Sequence, residues 1–154
     1  GLGEFGITAA WLLIVVGSDF VQRHAFAFAP IASGLGFALL VANVLYINQF
    51  PDVKADARAG KRTVVVRLGV ARARWGYALI ALLCYGWVLA MILRGQLPDA
   101  ALVALLPAIA SFRAAQILAR HAAQPARLAP GIKLTILAAS LHGLLLAATL
   151  AFCA

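Results

Sequence analysis

The chain has 154 residues, 64% of them apolar and only 12% charged, with a formal net charge of +8. A soluble domain averages about 45–50% apolar and about 25% charged residues, and a chain this small still exposes much of its surface. Together with a mean hydropathy of +0.97, this excludes a soluble globular domain and leaves lipid as the solvent, in a single helical membrane domain.

A membrane helix needs about 20 largely apolar residues. Five such segments are expected, at about 5–21, 27–50, 75–93, 100–118 and 130–152. Before the first, no basic stretch marks a signal peptide, and Gly1 in place of methionine makes this chain an expected part of a longer protein. Pro30 and Pro51 bound the second segment, and a polar loop at 51–74 carries most of the charge. Arg94 to Asp99 forms a turn after the third, and residues 119–129 connect the fourth to the fifth.

Orientation follows from the cations. If the 51–74 loop is cytoplasmic, alternation puts Lys54, Arg58, Lys61, Arg62, Arg67, Arg72, Arg74, Arg113, Arg120, Arg127 and Lys133 on that side, the ones at helix ends by snorkelling. Arg23 and Arg94 alone fall opposite. This is a positive-inside pattern with five spans, in a cell inner membrane. Because the cations sit between apolar runs and are not interleaved with polar and aromatic residues on a solvated face, no nucleic-acid partner is expected.

Several residues read as structural. Cys84 and Cys153 lie in apolar segments without metal-ligand spacing. Trp11 and Trp75 suit the membrane interface, and Gly34, Gly36, Gly76 and Gly86 suit close helix approach. Tyr46 and His142 read as interior packing residues, His24 and His121 as solvated ends, and Asp19 as a helix-end acid. Arg113 either snorkels or pairs inside the bundle.

The chemistry-bearing stretch runs from Asn48 to Thr63. Asn48, Asp52 and Asp56 recur every four residues, so on a helix one amide and two carboxylates share a face. Pro51 must either kink that helix or stop it and start a short new one. Two like charges at this spacing repel, and a divalent cation relieves the repulsion. All-oxygen donors suit Mg²⁺, which takes one or two carboxylates and completes its shell with water and phosphates. Lys61 and Arg62 add positive charge suited to a diphosphate. A solvated segment whose acids and bases merely offset one another fits the spacing equally well.

Residues 48–69, with Asp52-x-x-x-Asp56, Gly60-Lys61-Arg62-Thr63 and Val66-Arg67-Leu68-Gly69, closely resemble the second aspartate-rich motif of UbiA-type prenyltransferases. Gly1-Leu2-Gly3-Glu4 and the Leu141-His142 pair are similar to the menaquinone-type branch of that family. The resemblance implies a nine-helix bundle of which this chain supplies the last five helices. It implies Mg²⁺-dependent transfer of a polyprenyl group from a polyprenyl diphosphate to an aromatic acceptor such as a hydroxynaphthoate, in the bilayer. Asp52 and Asp56 would hold the metal; Asn48, Lys61, Arg62 and Arg67 would contact the diphosphate, with Lys61 also catalytic. The family's first aspartate motif is absent from these residues, so the chain alone is expected to be inactive. A non-catalytic membrane partner is the main alternative. A transporter fragment fits less well, because the acids cluster at one surface instead of running through the helices.

Overall fold

The computed structural model describes residues 1–152, so Cys153 lies outside the described residues. Six helices, α1 (Gly3–Arg23), α2 (Ala29–Arg58), α3 (Val64–Leu68), α4 (Val70–Leu93), α5 (Ala108–His121) and α6 (Ala129–Phe152), follow in chain order, with short 3₁₀ turns at Asp99–Leu105 and Pro125–Arg127. No strand occurs among the described residues. Five spans are long and apolar enough to cross a membrane: α1, α2, α4, the continuous stretch Asp99–His121, and α6. The chain is an integral membrane protein built as an all-α bundle.

α2 is the central element. It packs against α1, α4 and α6. Its 30 residues rise about 45 Å at 1.5 Å per residue, well beyond a hydrocarbon core of about 30 Å. The apolar run stops at Phe50, and the helix continues through Pro51 to Arg58. The stop and restart envisaged at Pro51 does not occur. A proline removes only one backbone hydrogen bond, and the alanine-rich turns that follow favour helix. The loop expected at 51–74 is therefore mostly helical. Thr63, extended and accepting a hydrogen bond at its Oγ1 from Val66 N (3.3 Å), caps α3. Gly69 at φ 73° then turns the chain directly into α4, five residues before the third segment was expected.

The fourth segment also differs. Pro107 cannot donate within a helix and disfavours helical geometry just before it, so residues 99–105 are 3₁₀ and the α-helix starts at Ala108.

Polar ties fix the helices at several depths. Trp87 Nε1 donates to Ala32 O (3.0 Å), Asn43 Nδ2 to Tyr77 O (3.1 Å) and Tyr46 OH to Ala73 O (2.7 Å), all between α2 and α4. Tyr77 and Thr135 hydroxyls meet at 2.9 Å, and His142 Nδ1 lies 2.7 Å from Ala104 O. Tyr46 and His142 are thus hydrogen-bonded interior residues. Close approach of α2 to α4 depends on Gly76, where a Cβ would come within 2.2 Å of Tyr46 Oη. Gly86 departs from the packing role read for it: nothing lies within 4 Å of its Cβ position, on the outer face of α4.

Candidate active site

Where α2 emerges from its apolar run, residues 45, 48, 49, 52 and 56 line up along one side of the helix. The start of α1 and the turn into α3 face them. Together they enclose a cavity of about 260 Å³ lined by Leu45, Asn48, Gln49, Asp52, Asp56, Glu4, Lys61 and Thr63, with Gly1 and Gly3 at its edge.

The polar groups here are partly engaged with one another. Lys61 Nζ sits 3.0 Å from Asp56 Oδ1; the carboxylate side chain is 13% exposed and the lysine 66%. Asp52 is exposed and forms no ion pair among the described residues. Asn48 donates its Nδ2 to Val44 O at 2.7 Å, one turn back, which leaves its carbonyl oxygen as an acceptor. Gln49 is buried and donates Nε2 to Glu4 Oε1, while its own Oε1 is buried without a partner. The donor set is therefore all oxygen: two carboxylates from one helix face, an amide carbonyl, and a third carboxylate held by Gln49.

Such a set suits a hard divalent cation that completes its shell with water and phosphate oxygens. It is not a closed protein cage: among the described residues no three His, Cys, Asp or Glu side chains converge tightly enough to hold a metal unaided.

The structure brings four of the six residues singled out from the sequence, Asn48, Asp52, Asp56 and Lys61, into one cavity. The other two stand beside it. Arg62 is exposed, and its carbonyl accepts from the Gly1 amine. Arg67 is exposed on α3, with its side chain against Gly1 at the cavity edge. Glu4, Gln49 and Thr63 were not singled out. Glu4 and Gln49 are 45 residues apart, and no local spacing links them. Gln49 carried a signal, since a buried amide next to Asn48 needs a partner.

Residues outside the cavity find local partners. Asp19 pairs with Arg23 at 2.9 Å near the opposite end of α1. His24 is exposed, whereas His121 is half-buried with its Nδ1 unpartnered, which departs from the solvated end expected of it. Trp75 is exposed beneath the Arg74 guanidinium, 5.1 Å from the ring centre.

Residues 1–137 match the UbiA prenyltransferase family. The chain is 37% identical over 89 residues to the 1,4-dihydroxy-2-naphthoate octaprenyltransferase of Haemophilus influenzae, covering 55% of this chain and 29% of that protein. It is 38% identical over 82 residues to the enzyme of the same name from Escherichia coli, covering 52% and 26%. Over 86 residues it is 33% identical to the UbiA prenyltransferase domain-containing protein 1 of Dictyostelium discoideum, covering 55% and 26%. The chain thus matches less than a third of the length of each of these relatives. No solved structure matches it. With the match running from the first residue into the start of α6, the chain belongs to the UbiA prenyltransferase family.

Proposed function

We propose that this chain supplies one side of an active site that transfers a polyprenyl group from a polyprenyl diphosphate to an aromatic ring of the dihydroxynaphthoate type. The observation that carries the reading is the gathering of Asn48, Asp52, Asp56 and Lys61 around one cavity where α2 leaves its apolar run. A donor with a charged head and a long apolar tail is bound best at such a boundary, head among the polar groups and tail along the helices.

Asp52 and Asp56 would hold Mg²⁺, with the Asn48 carbonyl as a further oxygen donor. When bound, the ion supplies Lewis-acid stabilisation of the charge on the diphosphate oxygens. Lys61 is held by Asp56 at 3.0 Å, within reach of the cavity, where its ammonium would contact the diphosphate. Arg62 and Arg67 form the positive rim that draws the anionic head inward. The carbon–oxygen bond of the donor breaks with its electron pair leaving on the diphosphate, which Lys61 steadies. The acceptor ring supplies the electrons of the new carbon–carbon bond and regains aromaticity by losing a proton or, at a carboxyl-bearing carbon, carbon dioxide. Gln49 and Glu4 position the wall facing the carboxylates.

Two carboxylates on one helix furnish part of such a site, so the chain by itself is inactive and a second acidic motif completes the chemistry. The motif face is cytoplasmic, in the inner membrane, by its excess of lysine and arginine.

The test is Mg²⁺-dependent prenyl transfer by the whole natural protein that carries this chain, with Asp52→Asn and Asp56→Asn variants. Each exchange lowers turnover on the order of 10²-fold or more. Unchanged rates would remove both acids from the mechanism. Full turnover by the 154-residue chain alone would sink the idea that the site is shared.

A further inference from the structure

A second polar cleft opens on the same membrane face as the motif, away from the active-site cavity. It measures about 360 Å³ and is lined by Arg113, Gln116, Arg120 and His121 of α5, with Ile117 and Leu134 as its apolar floor. It shares no residue with the cavity around Asp52. The two lie at the same end of the bundle, because Arg74, at the start of α4, donates to Ala119 O in the last turn of α5 at 2.9 Å.

Among the described residues no ion pair reaches the cations of this cleft. From Ala100 to the end of the chain there is no aspartate or glutamate, yet Arg113, Arg120, Arg127 and Lys133 all fall there. Both ion pairs found among the described residues, Asp19–Arg23 and Asp56–Lys61, lie elsewhere. Arg113 stands eight residues before the end of α5, about 12 Å along the helix axis. A cation that far into a membrane span needs an anionic partner or a route to water. Here the positions 113, 116, 120 and 121 turn one face of α5 into a polar stripe, while Ser111, Ala114 and Leu118 on another face are buried. His121 Nδ1 is buried with no hydrogen-bond partner.

A stripe of two guanidinium groups, an amide and an imidazole, backed by isoleucine and leucine, has the chemistry of a phosphate site beside an acyl chain. Guanidinium groups bind phosphate oxygens bidentately, and basic clefts between membrane helices take lipid head groups. We propose that the α5 cleft binds the phosphate of an anionic phospholipid, with Arg113 and Arg120 on the phosphate oxygens and the acyl chain lying along Ile117 and Leu134. A soluble phosphate or diphosphate offers the same oxygens without the chain. The depth of Arg113 and the apolar floor favour the lipid.

The experiment uses the whole natural protein, delipidated in neutral detergent and offered phosphatidylglycerol or phosphatidylcholine, with bound lipid counted by native mass spectrometry. The wild-type protein retains phosphatidylglycerol in preference to phosphatidylcholine, and Arg113→Gln with Arg120→Gln lowers that preference by roughly tenfold or more. Arg94→Gln, on the opposite membrane face, leaves it unchanged. If the double variant does not fold, Arg120→Gln alone is read, with a smaller loss in the same direction. Equal retention by the folded variant and the wild type overturns the site. Displacement of the lipid by equimolar inorganic diphosphate overturns the lipid assignment and gives the cleft to a soluble anion.

Discussion

Gly76 lies beneath the Tyr46 ring, where a Cβ would stand 2.7 Å from Cζ as well as 2.2 Å from Oη. Tyr46 cannot move aside cheaply, because it is buried in the cluster with Phe50 and Tyr77 and its hydroxyl holds Ala73 O. Gly76→Ala therefore lowers stability by about 1–3 kcal/mol through overpacking, read as a fall in the midpoint of thermal or denaturant unfolding in detergent. Gly86→Ala, with open space at its Cβ, leaves the midpoint unchanged or raises it, by up to about 1 kcal/mol of helix propensity. Composition and spacing alone make these two glycines look alike, since both sit within one apolar helix. What separates them is which side of α4 meets α2. Asn48, Asp52 and Asp56 are legible from sequence because their relationship is local, a shared helix face. Glu4 and Gln49 are not, because their pairing exists only once α1 lies against α2.

At the level of elements, apolar length gives the spans and proline chemistry decides their ends in ways the runs themselves conceal. Pro51 sits inside α2 and Pro107 divides the fourth span, although both are prolines in helix-forming surroundings. The difference follows from what precedes them: a long established helix runs into Pro51, whereas Pro98 stands only nine residues before Pro107 and the short stretch between the two prolines is 3₁₀. The short helix α3 depends on its cap. Thr63→Ala removes the acceptor for Val66 N and costs about 1 kcal/mol locally. The turn that carries Lys61 loosens with it, and amide hydrogen exchange across 61–68 rises while exchange in α4 stays the same. Unaltered exchange at 61–68 would show that α3 is held by packing at Val65 instead of by its cap.

For the whole molecule, the charge asymmetry makes a statement about sidedness. With Cys84 and Cys153 replaced, a cysteine at Ala57 reacts with an impermeant maleimide only from the cytoplasmic face, and one at Gly95 only from the opposite face. Labelling of both from one side would show that α4 does not cross the membrane, and the reversed pattern would refute the orientation. The number of spans is readable in one dimension, since hydrophobic length is additive along the chain, and the cation placement that predicts the motif's side is what the labelling tests. The α5 cleft is not, because its meaning lies in the acids missing around Arg113 and in the apolar floor that α6 lends it.

The three bonds from α2 to α4, at Ala32, Asn43 and Tyr46, act as rungs set at different heights between two uprights. Sliding one upright past the other would break all three at once, so the pair is stiff against axial shear. When the surrounding bilayer thins or thickens, the two helices accommodate the mismatch by leaning together. The carboxylates at the top of α2 then swing sideways with the pair while their height relative to α4 is preserved.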